Sequence, residues 1–180
     1  MFIEDQALVY KQYDCLYYAL TKNNGKIILK NYYFKEKYPE IKSFFFVIYE
    51  YDSYVFKQVE NKNTTSLTIQ NIELDYIVPL KLIGSSIFLF QYVFNYCIDY
   101  KVEINDIWDQ LFLFFNNDFY QEKDCYVCIY NILYQLGILE TQDNYIEKNY
   151  IYYKKAILEG LIKINHNHFS YLNKILKLDS

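Results

Sequence analysis

The sequence predicts an α+β protein in two parts. Residues 1–83 read as a helix plus antiparallel strands, packed on a mainly helical part over 84–180. Three observations carry this. Runs rich in β-branched and aromatic residues crowd the stretch from Lys26 to Val78. From Ile87 onward apolar residues recur at helical spacing instead. The chain has 180 residues, 53% of them hydrophobic, with only 4 Gly and 2 Pro, enough apolar material for a core and too little punctuation for a linker.

In chain order, Glu4 to Thr21 reads as an amphipathic helix on the spacing of Leu8, Cys15, Leu16, Ala19 and Leu20, stopped at Gly25, which can take positive φ. Lys26 to Phe34 reads as a strand, and Lys35 to Lys42 as a charged connection. Ser43 to Glu50 and Tyr54 to Glu60 flank Tyr51-Asp52-Ser53 as a hairpin would. Asn61 to Ser66 is the clearest loop, and Leu67 to Val78 alternates as one more strand before Pro79.

The second part opens with a helix capped by Ser85 or Ser86 and running to about Asp99. Lys101 to Ile104 is short and extended. Asn105 caps a helix over Asp106 to Phe115, and Asp124 to Leu136 forms the next, closed by Gly137. Ile138 to Thr141 and Tyr145 to Tyr152 read as a hairpin turning at Gln142-Asp143-Asn144. Tyr153 to Ser180 reads as helix on both sides of Gly160, with a small hairpin at Leu161–Ile164 and Phe169–Leu172 as the alternative.

The order apolar helix, short strand, two helices and two-stranded wing, over Ile87 to Tyr152, resembles the winged-helix superfamily. That resemblance implies a recognition helix at Asp124 to Leu136. Winged-helix DNA binders need cations there, and this stretch has none. Its outer side would offer Tyr126, Tyr130, Asn131, Tyr134 and Gln135, a weakly charged aromatic face suited to protein docking. Lys148, Lys154 and Lys155 are the basic residues nearest to it.

Composition narrows the function classes further. Net charge is −4, against nucleic acid as a partner. All 18 basic residues are Lys, so no guanidinium fork is present for phosphate or guanine edges. The excess of Tyr, Phe, Asn, Ile and Lys over Arg, Gly and Pro points to an A/T-rich genome. No basic n-region precedes an apolar run at Met1–Asp5, and four Cys make no disulfide framework, so a cytoplasmic or other reducing intracellular compartment is expected. Leu82 to Ile98 is the one stretch that would offer a membrane contact, and it falls short of a span.

Two cysteine constellations could carry chemistry. Around Tyr13-Asp14-Cys15-Leu16, the sequence faintly resembles the N-terminal cysteine helix of papain-like thiol enzymes. That resemblance implies Cys15 as nucleophile with His166 or His168 as base, for an acyltransferase or peptidase. Asp14 would oppose thiolate formation. Cys125-Tyr126-Val127-Cys128 with His166 and His168 could supply four zinc ligands, but on a helix both cysteines join the apolar stripe of Ile129, Ile132, Leu133 and Leu136. No phosphate-cradling glycine loop is present. The expectation is therefore a non-enzymatic interaction module, a subunit or adaptor of a larger assembly, without cofactor. A thiol enzyme on Cys15 and a DNA-binding regulator are the alternatives.

Overall fold

The computed structural model describes residues 1–56, 66–79, 84, 86–100, 102–117, 120–140 and 149–178. Strands and helices are both present, so the chain is α+β. It divides into two compact units, 1–78 with 98–109, and 79–97 with 110–180. The division is not one of consecutive halves, because 98–109 belongs to the first unit.

The first unit contains strands β1 (Phe2–Tyr13), β2 (Leu16–Thr21), β3 (Gly25–Lys30), β4 (Phe45–Asp52), β5 (Ser66–Thr68) and β6 (Ile72–Ile77), with a single-turn helix α1 (Phe34–Lys37). They form one sheet in the order β5-β3-β2-β1-β4-β6. Neighbours pair antiparallel except β3 and β5, which run parallel.

The expected helix over Glu4 to Thr21 is instead the β1–β2 hairpin. The cause lies in β1, which pairs on both sides, with β2 and with β4. Both faces of its middle are buried: Ala7 and Val9 on one, Leu8 and Tyr10 on the other. A strand covered on both faces loses the alternation that would announce it. Gly25 does take positive φ, at 58°, but it closes the β2–β3 hairpin rather than a helix, with Asn24 N–H donating to Thr21 Oγ1 at 3.1 Å.

The single strand expected over Leu67 to Val78 is two, on opposite edges of the sheet. In a flat six-stranded sheet those edges lie about 24 Å apart. Ile69, Gln70 and Asn71 can span at most about 14 Å. The sheet must therefore curl until its edges approach, and the link is stitched to both sides. Ile69 N–H donates to Lys30 O at 2.9 Å on β3, and Glu50 N–H on β4 donates to Asn71 O at 3.1 Å. The inside of this open barrel is one apolar cluster of Ala7, Val9, Tyr17, Ala19, Ile27, Leu29, Phe45, Val47, Tyr49, Leu67 and Ile72. α1 plugs it: Phe34 stacks on Phe45 at 5.5 Å and meets Tyr17 edge-on at 5.2 Å.

Other boundaries differ as well. The strand from Lys26 ends at Lys30, and 53–56 form a helical turn where a strand from Tyr54 was expected, the rest of it (57–60) lying outside the described residues. Most of the expected loop from Asn61 lies outside them too. Residues 102–104 are not a strand, and Tyr100 bridges to Gly25 and Lys26. On the outer side of the sheet, Trp108 packs edge-to-face against Phe46 at 6.0 Å.

The second unit holds α2 (Ser86–Tyr96), the C-terminal part of α3 (Asn105–Phe115), α4 (Glu122–Gln135), α5 (Tyr150–Ile164), a 3-10 turn (His166–His168) and α6 (Phe169–Leu176). The helices expected in this part are present; Ser86 and Asn105, expected as caps, are the first residues of α2 and α3. Gln121 N–H donates to Asp124 Oδ2 at 2.6 Å at the start of α4, and Gly137 takes φ 71° after it. The tail is helical rather than a hairpin. The wing is different: residues 138–140 form a bend, 141–148 lie outside the described residues, and Tyr150–Tyr152 are the first turn of α5. Ser85 also lies outside them. α2 has 11 residues, and no described helix is long and apolar enough to cross a membrane.

Candidate functional site

Cys15 sits in the two-residue turn between β1 and β2, after Asp14 at φ 52°. It is therefore not on a helix. It belongs to the first unit and both histidines to the second.

Cys125 and Cys128 face the core of the second unit, as the apolar stripe implied. Burial pushes the Cys125 thiol up to about 12 and raises Cys128 further still, against a weak contact from Gln110 Nε2 to the Cys128 sulfur at 3.9 Å. Thiols held protonated in this way are poor metal ligands and poor nucleophiles. Among the described residues, no three His, Cys, Asp or Glu side chains converge as metal ligands would.

The aromatic face expected on α4 is largely inside. Tyr126 is 1% and Tyr130 3% exposed, whereas Tyr134 and Asn131 are half-buried and Gln135 is open. The cause is α5, which covers that side. Tyr153 meets Tyr130 edge-on at 5.3 Å, and Lys154 lays its ammonium over the Tyr126 ring at 4.8 Å and the Tyr150 ring at 5.1 Å. Burial lowers the pKa of Lys154. The basic cluster is thus dispersed: Lys154 turns inward, Lys155 is exposed and Lys148 lies outside the described residues. α4 itself starts two residues earlier than expected and gains Lys123.

A different aromatic group is exposed. His168, in the turn before α6, is held from both sides. Asn165 Oδ1 accepts from Asn167 N–H at 3.1 Å, so the Asn165 amide presents its NH₂ group to His168 Nε2 at 3.4 Å. Nε2 is then the acceptor, and Nδ1–H donates to the Tyr92 hydroxyl at 2.8 Å, an assignment made from the hydrogen-bond network. Burial pushes Tyr92 up to about 12, so this hydroxyl keeps its proton. The imidazole lies edge-on to Tyr92 at 5.5 Å and to Tyr96 at 5.1 Å. Tyr171 adds a further ring 6.1 Å from Tyr92.

Both imidazole nitrogens are engaged, which makes His168 a clamp between α2 and the start of α6. Tyr92 is buried behind it, while Tyr96 is 56% and Tyr171 47% exposed. This platform of Tyr92, Tyr96, His168 and Tyr171 escaped the sequence reading. Its signal was Tyr92/Tyr96 at i, i+4 and His168/Tyr171 at i, i+3, each placing two rings on one helix face. No family model matches the chain, and no curated protein shows significant sequence similarity to it.

Proposed function

We propose that the chain is a non-enzymatic protein–protein interaction module, a subunit or adaptor of a larger assembly, docking through the Tyr96–His168–Tyr171 platform. The observation that carries this reading is the pairing of exposure with order. Tyr96 and Tyr171 offer large ring surfaces to solvent, while the Tyr92–His168 hydrogen bond at 2.8 Å fixes the group behind them. Rings already ordered lose little side-chain freedom on binding, and tyrosine is enriched among interface residues whose loss is costly. The reading keeps the kind of partner expected from the sequence and moves the surface from α4 to α2 and α6.

The test is affinity capture from the native source with wild-type protein and a Tyr96→Ser/Tyr171→Ser variant. A Tyr33→Ser/Tyr54→Ser variant, altered at exposed tyrosines elsewhere, is the control. A partner retained by wild type and control and lost from the platform variant supports the reading. Equal retention by all three, or submicromolar duplex binding with a steep salt dependence, overturns it.

A further inference from the structure

The curled sheet of the first unit has an outer face whose chemistry is one-sided. Strand alternation sends Phe2, Glu4 and Gln6 of β1 and Ile48, Glu50 and Asp52 of β4 outward, with Glu73 and Asp75 of β6 beside them. Register brings the carboxylates together: Glu4 lies directly opposite Glu50, and Ile48 sits between Gln6 and Glu73. Gln6 Nε2 donates to Asp75 Oδ2 at 2.6 Å, which places Asp75 on the same face. β4 and β6 contain no basic residue. The one in β1, Lys11, lies at the far end over the Tyr18 ring at 5.2 Å.

Like charges directly opposite on neighbouring strands oppose pairing. The Met1 ammonium stands 3.8 Å from Asp52 Oδ1 and the Asn71 amide donates to Glu50 Oε2 at 2.7 Å, but β1, β4 and β6 bring no cation to Glu4 or Glu73. Apolar surface lies among them. Phe2 is 72% exposed and Ile48 is partly open. The face also runs into a cleft of about 330 Å³ at the end of the barrel, which shares Phe2, Glu50 and Asp52 with it and reaches the apolar side chains of Tyr51, Val55 and Leu67. Thr68, Gln70 and Asn71 complete its lining, and carboxylates beside apolar side chains match a lysine or arginine side chain, which has an apolar stem and a cationic head.

The geometry points to this β1–β4–β6 face and its cleft as a docking surface for an extended, lysine- or arginine-bearing segment of a partner protein. A second copy of the chain does not fit, since it would bring the same carboxylates against themselves and carries net charge −4. The inference is independent of the aromatic platform, which lies in the other unit.

The experiment uses the full chain and a fluorescein-labelled ten-residue peptide alternating Lys with Val, read by anisotropy at 50 and 300 mM salt. Three proteins are compared: wild type, a Glu4→Gln/Glu50→Gln/Glu73→Gln variant, and a Glu40→Gln/Glu103→Gln/Glu159→Gln variant that loses the same charge elsewhere. Thermal melts establish that each is folded. The expected result is binding by wild type and control, weakened by salt, and at least about tenfold weaker for the face variant. Phe2→Ser should weaken binding at both salt concentrations. Equal loss in both triple variants would reduce the effect to net charge and overturn the proposal, as would absence of binding by wild type. The platform variant Tyr96→Ser/Tyr171→Ser should bind this peptide as wild type does, so the two readings stand or fall separately.

Discussion

The side-chain amide of Asn31 donates to the carbonyl of Ile69 at 2.8 Å and, more weakly, to that of Gln70 at 3.4 Å. Its Oδ1 accepts from Tyr33 N–H at 2.9 Å and Phe34 N–H at 2.7 Å. One buried side chain thus ties the end of β3, the start of α1 and the link between the two sheet edges. It adds to the backbone bonds from Ile69 to Lys30 and from Glu50 to Asn71 that hold the link to both edges.

Asn31→Ala should therefore be among the more damaging substitutions in the first unit. It leaves buried backbone donors and acceptors without partners, and a loss of ~2–4 kcal/mol is expected in urea unfolding. A loss below about 0.5 kcal/mol would mean that the barrel closes without this clamp.

Glycines separate in the same measurement. At Gly25, φ is 58° and an added Cβ would lie 2.0 Å from the Val102 carbonyl oxygen. At Gly137, φ is also positive but an added Cβ meets nothing within 4 Å. Gly137→Ala should cost roughly 1 kcal/mol, the left-handed penalty alone, and Gly25→Ala well over 2 kcal/mol because the backbone must also shift.

Asp5 points into the barrel, where the Tyr49 hydroxyl donates to its Oδ2 at 3.1 Å and the Gln6 N–H to its Oδ1 at 2.8 Å. Burial raises its carboxyl above the ordinary range despite these bonds. The folded chain thus holds this proton more tightly than the unfolded chain does. Stability from Asp5 is present below the ordinary carboxylate pKa and is lost as pH rises through the raised one. Asp5→Asn keeps an acceptor and removes the titration. The variant should match or exceed wild type in stability at pH 7, and that advantage should shrink on acidification to about pH 3, below the ordinary carboxylate pKa. An unchanged difference across that range would rule out Asp5 as the source.

Thiol chemistry should divide the four cysteines by burial. Cys15 and Cys97 are half-buried, whereas Cys125 and Cys128 are buried and held protonated. Iodoacetamide at pH 8 should label Cys15 and Cys97 in the native protein and reach the other two only in denaturant, as read by mass spectrometry. Early labelling of Cys128 would show that α4 opens locally.

Two tyrosines distinguish core from surface. Tyr130 is buried against Tyr153, so Tyr130→Ala should cost about 3–5 kcal/mol, in the range for a large buried ring. Tyr96→Ala, on the open platform, should cost under about 1 kcal/mol. Comparable losses at the two sites would mean that the platform is structural.

The sequence by itself determined what depends on neighbours along the chain. Gly137 after α4 and the apolar stripe through Cys125, Cys128, Ile129, Ile132 and Leu133 lie within one helix and its end, so α4 was legible within two residues; the Gln121–Asp124 capping pair sets the start that the sequence reading placed two residues late. The run of aromatic and β-branched residues likewise marked β4, although the strand continues through Tyr51 and Asp52, where a turn was expected. Tertiary structure decided the rest. β1 pairs with the adjacent β2 on one side but with β4, far away in sequence, on the other, and the apolar residues that cover both its faces imitate a helix. The division of 66–77 into two edge strands follows from the curl of the whole sheet, which no local window contains. Which tyrosines are exposed was settled by packing as well: α5 buries Tyr126 and Tyr130, while the His168 clamp leaves Tyr96 and Tyr171 open. Local hydrogen bonding and φ preferences act over a few residues. Burial is a property of whatever else arrives at the surface, and that is set by long-range packing.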